Sequence, residues 1–172
     1  MQLTLYTDYS LRVLLYLGIH KNEKATISEI ADYFKISRNH LVKVVHNLAT
    51  CGYIHTIRGK GGGMSLARPA EEINIGDVVR HTEPNFHVVE CFNPQTTHCP
   101  AYSVCTLIDV LNSALTNFFA VLDKYTLADL LKKPGIISKP LQFVPMQARP
   151  SPARAGKRPS RPKATARRLH DY

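Results

Sequence analysis

The sequence predicts a mainly α-helical protein with a small β wing, arranged as a winged helix-turn-helix domain followed by one long helix. Three observations predict it: two capped amphipathic segments joined by a three-residue turn, a glycine-rich loop between two short strand-like runs, and a sustained apolar stripe over residues 104–131. The expected organisation is a winged domain over residues 1–82, a connecting loop over 83–103, the long helix over 104–133, and a tail over 134–172.

The elements follow in order. Residues 8–20 place Leu11, Leu14, Leu15, Gly18 and Ile19 along one side at helical spacing, with Asp8 at the amino-terminal end. Thr26-Ile27-Ser28-Glu29 fits a capping box, in which hydroxyl and carboxylate satisfy the free amides that open a helix. That second helix runs to about Lys35. Ser37 is a suitable cap for a third, whose Leu41, Val44, Val45 and Leu48 fall at i, i+3, i+4 and i+7 and which should end at Gly52. The short Ile36-Ser37 junction brings the two helices across one another, as in a helix-turn-helix. With the leucine and valine stripe turned inward, Ser37 caps an outer face of Arg38, Asn39, His40, Lys43, His46 and Asn47, side chains that hydrogen-bond phosphates and base edges. An ordinary solvated face would look the same, and the next segment favours the reader.

Residues 53–57 and 64–67 are strand-like, and between them lies Arg58-Gly59-Lys60-Gly61-Gly62-Gly63. This is a wing, whose glycines allow close backbone approach and whose Arg58 and Lys60 can enter a minor groove or pair with phosphates. A nucleotide cradle would need the spacing and the Ser or Thr of a P-loop, which are absent. Asn74-Ile75-Gly76-Asp77 opens a short helix to about Thr82. Leu107, Leu111, Ala114, Phe118, Leu122 and Tyr125 then recur at helical spacing over 104–131, widened by Ile108, Leu115 and Phe119. Such a stripe exceeds what a small winged domain covers, so it is expected to be a dimerisation helix that pairs with a second copy, matching a palindromic duplex. Folding back onto its own domain is the alternative.

At 172 residues the chain has room for one domain with a real core and a small appendage. Its net charge of +9 is uneven: residues 134–172 hold nine Lys or Arg against Asp171 alone, whereas residues 1–133 hold thirteen basic and twelve acidic residues. Global basicity is therefore weak support for nucleic-acid binding, and the reader and wing must supply it. The tail also holds seven of the eleven prolines and few core-forming residues, and is expected to be disordered. Residues 11–19 are interrupted by Arg12 and lack the leader and cleavage site of a signal peptide, and no run approaches the ~20 apolar residues of a membrane helix. A cytoplasmic location without membrane partners is expected, where cysteines serve as thiols or metal ligands in preference to disulfides.

Cys91, Cys99 and Cys105 lie in the connecting loop with spacing C-x7-C-x5-C. Structural zinc would want four closed ligands, with His98 or His87 joining, and paired C-x2-4-C spacing that is missing. A catalytic thiol would want one cysteine beside a base. An iron-sulfur cluster tolerates wider spacing and fits best, though one ligand short. Cys51 could supply it; a non-cysteine donor is the other option, and an oxygen or nitrogen ligand would make the cluster more labile, which suits a sensor.

Residues 3–12 (LTLYTDYSLR), Ser37-Arg38-Asn39-His40-Leu41-Val42-Lys43, Gly52-Tyr53, Arg58-Gly59-Lys60-Gly61-Gly62-Gly63, Ile75-Gly76-Asp77-Val78-Val79-Arg80 and Tyr125-Thr126-Leu127-Ala128-Asp129-Leu130 together resemble the NsrR repressors. These form the nitric-oxide-sensing branch of the winged-helix iron-sulfur regulators that also include IscR. The resemblance covers about residues 1–133 and implies a non-enzymatic, homodimeric repressor. It further implies one cluster per subunit, 4Fe-4S in preference to 2Fe-2S, on Cys91, Cys99 and Cys105. Asp8 would be the oxygen ligand, donated across the dimer, and operator DNA would be released when nitric oxide nitrosylates the iron. The controlled genes would serve nitric-oxide detoxification. Two alternatives stand beside this: a regulator of cluster assembly like IscR, against which no histidine closely follows Cys105, and a zinc-stabilised DNA-binding protein with no sensing role. Asp8 could also serve only the helix macrodipole. The chain departs from the family in its longer gap between Cys91 and Cys99 and in its tail.

Overall fold

The computed structural model describes residues 2–21 and 23–132, so the expectation of disorder over 134–172 lies outside the described residues. Helix α1 (Leu5–Ile19) begins earlier than expected, because Thr4 caps it by accepting from the Thr7 N–H at 3.2 Å. Asp8 therefore sits in the first turn and not at the cap. Helix α2 (Ile27–Phe34) carries the full capping box: the Glu29 N–H donates to Thr26 Oγ1 at 3.2 Å and the Thr26 N–H to Glu29 Oε2 at 2.6 Å. Lys35, at φ 56°, ends it and turns the chain towards α3 (Arg38–Thr50). Ser37 stands at the cap of α3 but its hydroxyl accepts nothing there; the His40 and Leu41 N–H groups donate to its main-chain carbonyl.

Leu41, Val44, Val45 and Leu48 of α3 are buried against Val13, Leu14 and Leu17 of α1 and Ile30 of α2, as the 3.6-residue spacing requires. Each fully buried leucine contributes about 2–3 kcal/mol of apolar transfer energy. Strands β1 (Ile54–Ile57) and β2 (Gly63–Leu66) pair antiparallel in the register Ile54↔Leu66 to Ile57↔Gly63. Ala25 extends the pairing by exchanging two backbone hydrogen bonds with Met64, at 3.0 and 2.7 Å, which roots the wing in the segment before α2. Helix α4 (Ile75–Thr82), capped by Asn74, closes the core with Ile75, Val78 and Val79.

The single helix expected over 104–131 is instead two: α5 (Thr106–Leu122, 17 residues) and α6 (Leu127–Leu131). The break has a clear cause. Thr126 and Asp129 form a second capping box, and the backbone around Thr126 bridges to the extended segment that enters α4: Ile75 N–H donates to the Tyr125 carbonyl at 3.0 Å and Leu127 N–H to the Ile73 carbonyl at 2.8 Å. Leu127 is buried, and Leu127 and Leu131 lie so close to α1 that a Cβ on Gly18 would meet the Leu131 side chain. At the other end of the break, Arg80 grips Asp123 with two bonds of 2.7 and 2.8 Å while its guanidinium lies 4.5 Å from the Phe119 ring centre. Helix α5 itself buries no residue. No helix among the described residues is long and apolar enough to cross a membrane.

Lys132, together with the Thr126 N–H and hydroxyl, holds the Asp129 carboxyl well below the usual carboxylate range. A depressed folded value means that this stability is fully present above the unfolded value of about 4 and is lost as pH falls below it. Asp129→Asn should therefore flatten the acid side of the stability profile; urea midpoints that fall equally in both proteins from about pH 5 to about pH 2.5 would remove Asp129 from the capping account.

Candidate nucleic-acid interface and cysteine loop

Helix α3 presents the face the sequence predicts. Ser37, Arg38, Asn39, His40, Lys43 and His46 are exposed and Asn47 is half-buried. Arg38 makes only a long pair with Asp32, 3.9 Å between exposed side chains, so it is not withdrawn from a ligand. The base of the face is tied to α1: the Tyr6 hydroxyl donates to the Lys43 carbonyl at 3.2 Å, and the Tyr9 and His40 rings stack at 6.3 Å.

The wing tip is shaped by glycine. Gly59 and Gly61 take φ of +93° and +77°, and the Gly62 N–H donates to the Gly59 carbonyl at 2.9 Å. A Cβ on Gly62 would run into the Ile57 carbonyl and come within 2.8 Å of that of Gly59. Arg58 and Lys60 are exposed on this tip. Between α3 and the wing lies a groove of about 490 Å³ lined by Val42, His46, Ile57, Arg58 and Gly59 among others. Sequence reasoning passed over Val42 and Ile57, which are 51% and 54% exposed. The available signal was that neither belongs to the buried stripe of its own element.

The connecting loop starts where Glu83 Oε1 accepts from the Thr4 N–H at 2.7 Å and its hydroxyl at 3.1 Å. It is held by short turns: His98 N–H donates to Glu90 Oε1 at 3.0 Å, and Tyr102 N–H to the Cys99 carbonyl at 3.1 Å. Cys91 sits in a 3-10 turn (Glu90–Phe92), Cys99 is exposed, and Cys105 is the residue that caps α5. All are free thiols. Their side chains do not converge: among the described residues no three His, Cys, Asp or Glu groups gather as a metal-holding set, and neither Asp8 nor His98 joins them. As a donor set they suit a cluster, since three unbridged soft ligands share one loop and Cys105 stands at the positive end of a helix dipole, where an anionic ligand is favoured. Cys51 is set apart, half-buried against the core with its thiol donating to Asn47 Oδ1 at 3.8 Å.

Asp8 is engaged within its own helix. Arg12 pairs with it at 2.7 Å through Nη2 and 3.1 Å through Nε, both side chains being partly exposed, and the same guanidinium lies 5.8 Å from the Phe34 ring centre and 5.9 Å from that of Tyr9.

Comparison with known proteins gives a consistent result. The Rrf2 family model, described as an iron-dependent transcriptional regulator, matches residues 3–133. The HTH-type transcriptional regulator NsrR of Bacillus subtilis is 51% identical over 144 residues, 83% of this chain and 99% of that protein. Its counterpart from Bacillus licheniformis is 50% identical over 140 residues, 81% and 98% of the respective chains. Among solved structures, T. potens IscR matches with a TM-score of 0.62 over 77% of this chain and 87% of its own, at 23% identity, a likeness of fold. The oxidized form of Staphylococcus aureus CymR matches at 0.57 over 77% and 98%, with 29% identity.

Gly62→Ala should distort the wing tip while leaving the core intact. Affinity for a DNA duplex is expected to fall about tenfold, roughly 1.4 kcal/mol, with helix content unchanged; wild-type affinity in an electrophoretic shift assay would exclude the tip from the contact surface.

Proposed function

Because the chain belongs to the Rrf2 family of transcriptional regulators, we propose that it is a homodimeric repressor that senses nitric oxide through an iron-sulfur cluster and then releases its operator. That it is a DNA-binding regulator and not an enzyme follows from the family itself. The cluster, the dimer and the signal are the proposed part. The observation that carries them is that Cys105 stands at the N-cap position of α5, so the helix that begins at a thiol ligand also leaves Leu107, Val110 and Val121 exposed. Val104 is 81% exposed and Leu107 58%, with Val110 beside them, and a second copy of α5 would cover this surface.

In this reading Cys91, Cys99 and Cys105 hold the cluster, with 4Fe-4S preferred, one per subunit, and the Asp8 carboxylate completes it from across the dimer. When bound, the cluster supplies iron that reacts with nitric oxide. The chain's own residues translate this. Asp8 has a competing partner in Arg12, so its release from ligation leaves it a stable position on its own helix. Helix α1 carries Tyr6 and Tyr9, which support Lys43 and His40, so a shift of α1 reaches the reader face. Ser37, Arg38, Asn39, His40 and Lys43 would enter the major groove, and Arg58 and Lys60 the minor groove. A domain division into a DNA-binding part over 1–82, a cluster-binding loop over 83–103 and a dimerisation part over 104–133 serves this reading, with α5 as the pairing helix and α6 packed on α1 of its own chain.

Anaerobic purification followed by titration with nitric oxide tests it. A brown protein whose operator affinity collapses as nitric oxide is added is expected; a colourless protein with stoichiometric zinc, or a brown one whose affinity does not change, would overturn it. Arg38→Ala and Lys43→Ala should each weaken operator binding about tenfold with cluster absorbance intact. Cys99→Ala should abolish that absorbance and relieve repression.

A further inference from the structure

Val42 is the one apolar side chain among the exposed residues at the centre of the α3 outer face. Its neighbours one turn away, Arg38, Asn39 and His46, and the adjacent Lys43 are all polar and exposed. Leu41, Val44 and Val45 around it are buried, so Val42 does not belong to the core stripe. A β-branched residue lowers helix propensity and, half exposed, gains little burial in the free protein. On the duplex the position has a use. A thymine is the one base that presents a methyl group in the major groove, and a small aliphatic side chain is its natural partner. Valine in a helix is already confined to essentially one rotamer, so it loses almost no entropy on docking, unlike the lysine and arginine beside it.

The wing strengthens this reading. Ile57 ends β1 on the opposite wall of the same groove, exposed like Val42, so the reader helix and the wing each offer an aliphatic group to it. We infer that Val42 is a specificity residue of the reader helix, contacting the C5 methyl of a thymine in each half-site, while its polar neighbours contact phosphates and other base edges. This rests on the reading of α3 as the DNA reader and deepens it.

The test uses the full chain, purified anaerobically, and a duplex recovered from a random-sequence library by repeated rounds of binding to it. Each thymine of that duplex is replaced in turn by uracil, which removes only the methyl group, and affinities are measured for wild type, Val42→Ala and Ile57→Ala. Wild type should lose about fourfold at one symmetry-related pair of positions per methyl removed. Val42→Ala should bind the unmodified duplex more weakly, keep its melting temperature, and show no further loss at those positions. Ile57→Ala should keep the full uracil effect there. Equal uracil penalties in wild type and Val42→Ala at every position, or loss of the penalty in Ile57→Ala, would overturn the assignment of Val42 while leaving α3 as the reader. If no duplex were enriched at all, the reader assignment would fall with it.

Discussion

Val13, Leu14 and Leu17 on the inner side of α1 are closed off from water by elements drawn from every part of the body: α3 across the reader turn, α4, β2 of the wing and α6 from the far end of the described chain. One buried stripe thereby serves as common ground for the proposed reader helix, the wing and the carboxy-terminal turn. Because close-packed interiors transmit displacement, any force applied to α1 is shared among them. Asp8 and Arg12 lie on the same helix, turned to the surface, where such a force would be applied.

Much of this was legible in the sequence. The Thr26-Glu29 box, the Leu41-Val44-Val45-Leu48 stripe and the glycine tip each state a local rule that the tertiary structure obeys, so the third helix and the wing could be placed by residue. The long helix could not. Its apolar period runs unbroken through Leu122 and Tyr125, and only the Thr126-Leu127-Ala128-Asp129 box signals the break; backbone pairing with Ile73 and Ile75, about fifty residues away in the chain, then enforces it. The start of α1 was missed for a similar reason, since Thr4 caps it through Thr7, with Thr4 itself fixed by the distant Glu83.

The cysteine loop marks a different limit. Its spacing speaks to donor chemistry, but the thiols of a single chain are not gathered, and Asp8 is satisfied by Arg12. If the site is finished by an inorganic core and a second copy, as proposed, the sequence holds it as ligand types and leaves its geometry open. The presence of Cys105 at the cap of α5 is the part of it that the fold fixes.

The joint between α4 and α5 carries one more implication. It is held by the Arg80-Asp123 pair, both members well exposed to solvent, with Asn74 donating to the Asp123 carbonyl beside it. Added electrolyte screens such a contact. In a dimer built on α5, raising ionic strength would loosen the angle between the two reading heads at the same time as it lessens the gain from the counterions that the protein releases from the duplex. The usual conversion of a salt titration into a number of neutralised phosphates would then overcount, because part of the slope would belong to a protein hinge and none of that part to the nucleic acid.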